Sequence, residues 1–211
     1  FSPTVEQVKK GIDLMIWGYF LKLVVADPCG MLVDRIYVDL DMYGFTMVLM
    51  AAVLFSCQIY LDFMAYSRVA RGLAYFLGIE LSLNFNKPFF SRSLMEFWKR
   101  WHVTLHIWLK DYLYTPIAKG KQKSGRHLAI VLVFVISGLW HGAGINFVVW
   151  GTVNGVLVWL SLLVWNKLSV PNIVKRSLVV FFIVIGFAIF RCDGMNDLNL
   201  LWEKLTQPTW G

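Results

Sequence analysis

Residues 127–166 read HLAIVLVFVISGLWHGAGINFVVWGTVNGVLVWLSLLVWN, a run of forty without one Asp, Glu, Lys or Arg. A helix needs about 20 mostly apolar residues to cross a bilayer. The run is long enough for two crossings, and Gly142-Ala143-Gly144 near its middle offers the turn between them. A soluble chain of this size would have to bury two such helices side by side. Outward from this run, residues 42–61 form a second stretch with no charged side chain. The whole chain is 58% hydrophobic and 16% charged, whereas soluble domains sit near 45–50% and about 25%. The expected fold is all-α, a polytopic transmembrane helical bundle.

The charges are sorted around the apolar runs. Lys119, Lys121, Lys123 and Arg126 precede the forty-residue run, and Lys167, Lys175 and Arg176 follow it. Two crossings return the chain to the face it left, so both clusters fit the cytoplasmic side under the positive-inside rule. The net charge of +7 is then explained by lipid headgroups and snorkelling, and nucleic acid is not an expected partner. The start, Phe1-Ser2-Pro3-Thr4, lacks the basic n-region and apolar stretch of a signal peptide. Cys29, Cys57 and Cys192 are far apart and form no CxxC, which suggests neither a disulfide framework nor a zinc site.

Five apolar segments are expected. The first, 12–26, is interrupted by Lys22 and should end at Asp27-Pro28-Cys29-Gly30, because proline cannot continue a helix. The second covers 45–63, and an amphipathic piece with Arg68 and Arg71 on its polar face follows over 67–77. Asn84 to Pro88 is a turn-rich connector. The third and fourth spans are 128–140 and 147–165, where Gly138 and Gly142, and Gly151 and Gly155, are small residues four apart that let helices approach in lipid. The fifth, 177–190, is short for a crossing and calls for local thinning. In the mixed tail from Arg191, Trp202 and Trp210 are expected at an interface.

Residues 97–114 are unlike the rest. Phe97, Trp101, Leu105, Trp108 and Tyr112 recur at helical spacing and predict one apolar stripe. Lys99, Arg100, Lys110 and Asp111 argue against spanning, since a charge at mid-bilayer costs about 2.5–3.5 kcal/mol. The segment reads as an interfacial or re-entrant helix, shielded from lipid by protein.

His141 ends an apolar helix beside glycines, and an ionisable residue at membrane depth is a functional candidate. Imidazole suits proton transfer near neutral pH. The alternative, equally open from the residues alone, is an interfacial histidine that bonds a carbonyl and holds the turn. His102 and His106 share a helix face at i, i+4, but without HExxH or an intervening carboxylate a metal site is the minor reading. No bound metal is expected. Asp62 closes the second span and needs a cation, with Arg68, Arg71 and Arg100 the candidates; Asp111 either orients a histidine or pairs with an arginine, the commoner role.

Several motifs together carry a resemblance. Phe97-Trp98-Lys99-Arg100-Trp101-His102-Val103-Thr104-Leu105 and Trp108-Leu109-Lys110-Asp111-Tyr112-Leu113-Tyr114-Thr115-Pro116 resemble the membrane-bound O-acyltransferases, in the bacterial branch of alginate O-acetylation and teichoic-acid D-alanylation proteins. Gly138-Leu139-Trp140-His141-Gly142-Ala143-Gly144 looks like the histidine motif of that family. Gln58 to Phe63 with Tyr66-Ser67, and Asn84-Phe85-Asn86-Lys87-Pro88-Phe89, match in order and spacing. The chain departs from the branch at Ala118-Lys119-Gly120, where a glycine pair is usual, at Asn154, often a histidine, and at His106, usually a small residue.

The resemblance implies one membrane domain over 1–211, corresponding to the C-terminal part of a longer pattern, in a bacterial inner membrane. It implies acyl transfer, with His141 and His102 catalytic and Asp111, Trp140, Trp101, Asn86 and Asp62 binding substrate or supporting the site. His141 would take the proton of an acceptor hydroxyl, and His102 or a backbone N–H near Gly142 would stabilise the oxyanion. No bound cofactor is implied; the acyl donor would be a thioester such as acetyl-CoA or an acyl carrier protein, and the acceptor a cell-envelope polysaccharide. The alternatives are a relay subunit serving an extracytoplasmic acyltransferase partner, and a non-catalytic membrane scaffold.

Overall fold

The computed structural model describes residues 2–167 and 169–207, so Trp210 lies outside the described residues. The described residues are helical throughout their regular structure, and five helices are long and apolar enough to cross a membrane. Side chains such as Val53, Leu132, Leu160 and Phe181 face outward, as lipid-facing positions would.

The first of these helices, α1 (Val5–Val38), starts at a capping box in which the Thr4 hydroxyl accepts from the Gln7 N–H and Gln7 Oε1 accepts from the Thr4 N–H. It does not end at Pro28. A π-helical turn over Leu21–Ala26 precedes the proline, and the Asp27 N–H reaches back to the Lys22 carbonyl. That wider turn re-registers the hydrogen-bond ladder just where proline lacks a donor and crowds the preceding turn, so the helix continues to Val38. The second helix, α2 (Phe45–Phe76), also runs on past the expected limit, and the amphipathic piece is its continuation. No proline or close glycine pair interrupts residues 64–76. At 1.5 Å per residue its 32 residues reach about 48 Å, more than a hydrocarbon core of about 30 Å, which leaves its last turns free to be polar. Arg71 there donates to the Leu81 carbonyl of the next loop, 3.1 Å away.

Glycines bring α1 and α2 together: a Cβ on Gly11 would lie 2.8 Å from the Gly72 carbonyl oxygen, and one on Gly18 would press on Ala65 and Val69.

The forty-residue run folds as the expected hairpin, α5 (Lys123–His141) and α6 (Ile145–Val164), once α3 (Leu94–Arg100) and α4 (Val103–Leu109) have intervened. A Cβ on Gly138 would overlap the Phe147 backbone, one on Gly151 the Phe134 carbonyl, and one on Gly155 would crowd Val131. These pairs run in opposite directions along the two helices, so the packing is antiparallel. Gly142 matters for space and not for backbone freedom: its φ of 165° is extended, and its hydrogen faces the Phe147 ring. The fifth crossing helix, α7 (Asn172–Arg191), is longer than expected because Ile173 and Val174 join it and Lys175 and Arg176 can snorkel at its entry. No thinning is required. The final helix, α8 (Gly194–Thr206), buries Leu201 and leaves Trp202 exposed.

The segment expected as one helix over 97–114 is broken. α3 ends at Arg100, the chain turns through Trp101 and His102, and α4 continues into a π-helical turn over Lys110–Tyr114 and a last turn Thr115–Ala118. His102 has φ 45°, in the left-handed region that disfavours a side chain. The single stripe therefore does not exist. Phe97 and Trp101 are buried, whereas Trp108 and Tyr112, which stack on each other, are exposed.

Candidate active site

The break in this segment makes the site. α3 is held at its start by Ser93, whose hydroxyl accepts from the Glu96 N–H at 3.1 Å, and by Glu96, which pairs with Arg100 at 2.6 Å. Trp165, just beyond α6, donates its indole N–H to the Arg92 carbonyl and fixes the segment to the hairpin. Inside, Trp101 stacks on Phe97 and meets Phe85 and Phe187, with ring centres 5.6, 5.1 and 5.0 Å away. This aromatic wedge lets a polar, charged segment enter the bundle: its rings pack against α2 and α7, and its kink is bonded by the connector.

Two backbone hydrogen bonds do that. The Asn86 N–H donates to the Arg100 carbonyl and the Val103 N–H to the Asn84 carbonyl, each at 2.9 Å. They bracket His102, so residues 84–86 clamp both sides of the turn. The left-handed backbone at His102 costs of the order of 1–2 kcal/mol, a strain that functional positions commonly retain.

A cavity of about 350 Å³ lies between the broken segment and the hairpin. Its wall includes His102, His106, His141, Ser137, Trp101 and Trp150. His141, at the end of α5, is boxed by Trp140, Trp150 and Phe190, with ring centres 4.9, 5.4 and 5.1 Å away. His102 packs edge-on to Phe63 at 4.6 Å, and its Nδ1 lies 3.1 Å from Asn84 Oδ1. Burial, with a smaller push from His141, lowers the His102 pKa to about 4. Burial and then Lys99 and Lys110 also lower that of His106. At neutral pH the site therefore offers uncharged imidazole on the broken segment, the form able to accept a proton.

The cavity adjoins a second, basic recess. Tyr114 lies on the wall of both, and Lys119, Lys121 and Arg126 line the recess.

The remaining candidates divide. Trp101 lines the cavity, and Trp140, though 60% exposed, touches the rings of both His102 and His141. Asp62 pairs with Lys22 of α1 at 2.7 Å, and Lys22 also meets Asp27 at 2.8 Å; the expected arginine partners are not used. The reason is the π turn, which carries Lys22 beside α2, a proximity no spacing in the sequence encodes. Asp111 is exposed, 3.9 Å from Lys110, and orients no histidine. Asn86 is exposed and contributes a backbone N–H, while the side chain that reaches a histidine belongs to Asn84. Sequence reasoning named Asn86, which supports the turn through its backbone, and did not single out Asn84, Phe63 or Trp150. Asn154 bonds the Trp150 carbonyl of its own helix and abuts Gly186, off the cavity wall. Among the described residues no group of three or more His, Cys, Asp or Glu stands close enough to hold a metal ion.

Known proteins with similar sequences identify the family. A model of the membrane-bound O-acyltransferase family matches residues 14–201. The chain is 32% identical over 215 residues to a probable alginate O-acetylase AlgI of Pseudomonas aeruginosa, covering 99% of this chain and 41% of the relative. It is 31% identical over 198 residues to a peptidoglycan O-acetyltransferase of Helicobacter pylori, with 91% and 38% covered. A teichoic acid D-alanyltransferase of Bacillus subtilis is 30% identical over 168 residues, with 72% and 40% covered. The chain spans about 40% of the length of the curated relatives it matches. With a family match over nearly its whole length and helices built to cross a bilayer, the chain is an integral membrane protein and belongs to the membrane-bound O-acyltransferase family.

Proposed function

We propose that this chain carries the catalytic part of an acyltransferase that moves an acetyl or similar acyl group from a thioester to a hydroxyl of a cell-envelope polysaccharide, in a bacterial inner membrane. The observation that carries the reading is that His102 and His141 line one cavity, beside a recess lined by Lys119, Lys121 and Arg126. Thioester donors such as acetyl-CoA or an acyl carrier protein bear phosphate groups, and a basic recess suits them. The apolar cavity beyond Tyr114 suits the acyl end. The names of the relatives, which act on alginate, peptidoglycan and teichoic acid, support an envelope polymer as acceptor.

In this reading the acceptor oxygen attacks the thioester carbonyl carbon as His141 takes the hydroxyl proton. The tetrahedral intermediate then expels the thiolate, the C–S bond breaks, and His141 returns the proton to sulfur. Such general-base help contributes about 10²–10⁴-fold. The test is transfer of label from acetyl-CoA to envelope polysaccharide in membranes that carry the chain, beside its His141→Ala variant. Labelling should fall by about 10²-fold or more while the amount of inserted protein stays level. Equal labelling from both would sink the role of His141.

A further inference from the structure

The hydrogen-bond set around Asn84 determines which nitrogen of His102 carries its proton. Asn84 Nδ2 donates to Ser67 Oγ at 3.3 Å, and Asn84 Oδ1 accepts from the Thr104 N–H at 3.4 Å and the Thr104 hydroxyl at 3.0 Å. A backbone N–H can only donate, so the amide atom facing Thr104 is the oxygen. That same oxygen lies 3.1 Å from His102 Nδ1. An amide oxygen can only accept, so Nδ1 must hold the hydrogen. In a neutral imidazole the other nitrogen, Nε2, is then a bare lone pair.

We propose that Asn84 is a positioning residue that locks His102 as the Nδ1–H tautomer, so that His102 meets substrate as a hydrogen-bond acceptor through Nε2 and does not donate to the oxyanion. This rests on the acyl-transfer reading and assigns the second histidine a role within it. It also reverses the expectation that His102 stabilises the oxyanion, since neutral Nε2 has no hydrogen to give. A polysaccharide presents hydroxyls beside the one that reacts. One of these donates to His102 Nε2 while the reacting hydroxyl gives its proton to His141. The arrangement selects a polyol acceptor and sets its orientation. The clamp and the tautomer have one source: the Asn84 carbonyl bonds the Val103 N–H, holding the left-handed turn, while its side chain holds the ring.

The test is nitrogen-15 spectroscopy of histidine-labelled protein in membranes, with His102→Gln used to assign the signal. At neutral pH the wild type should show a protonated Nδ1 and an unprotonated Nε2. An Nε2–H tautomer would overturn the proposal. Asn84→Asp keeps an acceptor for Nδ1, so it should keep the tautomer and lose less than about 10-fold in kcat. Asn84→Leu removes the acceptor; its tautomers should mix and kcat fall roughly 100-fold, the range expected when a substrate is held out of position. A leucine variant that retains both tautomer and rate would also overturn it. The spectrum is read without turnover. Absence of transfer from the wild type breaks the acyl-transfer reading alone, and the wrong tautomer breaks this one alone.

Discussion

The hairpin α5–α6 and the broken segment α3–α4 face each other across the cavity, and they were built by opposite means. The hairpin is uniformly apolar, and its glycines allow backbone to touch backbone. It needs nothing from the rest of the chain to be recognised. The broken segment carries Glu96, Lys99 and Arg100 among its aromatics, and its shape comes from contacts distant in sequence: Asn84 and Asn86 across the kink, Phe187 against Trp101, Trp165 on Arg92. Hydrophobicity alone decides the first. The second is decided by where polar backbone groups find partners once the apolar helices have assembled. The hairpin supplies His141 to the cavity, and the broken segment supplies His102 and His106.

This contrast can be broken most severely at the hairpin. Gly151→Leu would push a side chain into the Phe134 and Val135 backbone, where no flexible group can yield. We expect loss of more than about 3 kcal/mol and little folded protein, read by detergent-extracted yield and protease resistance. Normal yield would mean that the helices pack less closely than described.

The next test separates a broken segment from a continuous stripe. Trp101→Ala removes a buried ring and should cost about 3–5 kcal/mol, whereas Trp108→Ala removes an exposed one and should cost about 0.5 kcal/mol or less. Thermal unfolding in detergent measures both. Similar losses would restore the stripe and remove the kink.

A smaller effect bears on the kink itself. His102→Gly relieves the left-handed backbone at φ 45° by about 1 kcal/mol and surrenders the ring packing against Phe63. Stability should change by no more than about 1 kcal/mol while transfer drops sharply. A variant that retains transfer would make the histidine a turn residue only.

The smallest expected change is a flat response. The pKa of His102 is lowered from 6.5 to about 4, first by burial, so its ring should remain neutral in nitrogen spectra from about pH 7.5 to about 5.5. Because the unfolded chain takes up that proton first, this residue's contribution to stability is complete above about 6.5. It is lost as pH falls toward about 4. A ring that charges near pH 6.5 would show that the broken segment is open to water.

What the sequence by itself determined is the membrane class, the hairpin and the family that its motifs resemble. Charge-free runs of sufficient length admit few folds, and several motifs in order and at fixed spacing point to one family. Where it misleads, a local signal is overridden, either within its own helix or by contacts from elsewhere in the chain. Pro28 signals a stop, but a π turn absorbs it; the aromatic spacing at 97–114 predicts one helix, but residues 84–86 clamp a kink into it. Asp62 calls for an arginine by its spacing, but Lys22 reaches it from α1. Tertiary structure alone decided that Asn84, not Asn86, holds a histidine, and that Trp150 and Phe63 pack against the two rings. The physical reason is common to all of these. In a bilayer each helix satisfies its own backbone and can be read from its own residues, whereas a kink, a buried charge or a tautomer is satisfied by atoms from elsewhere in the chain.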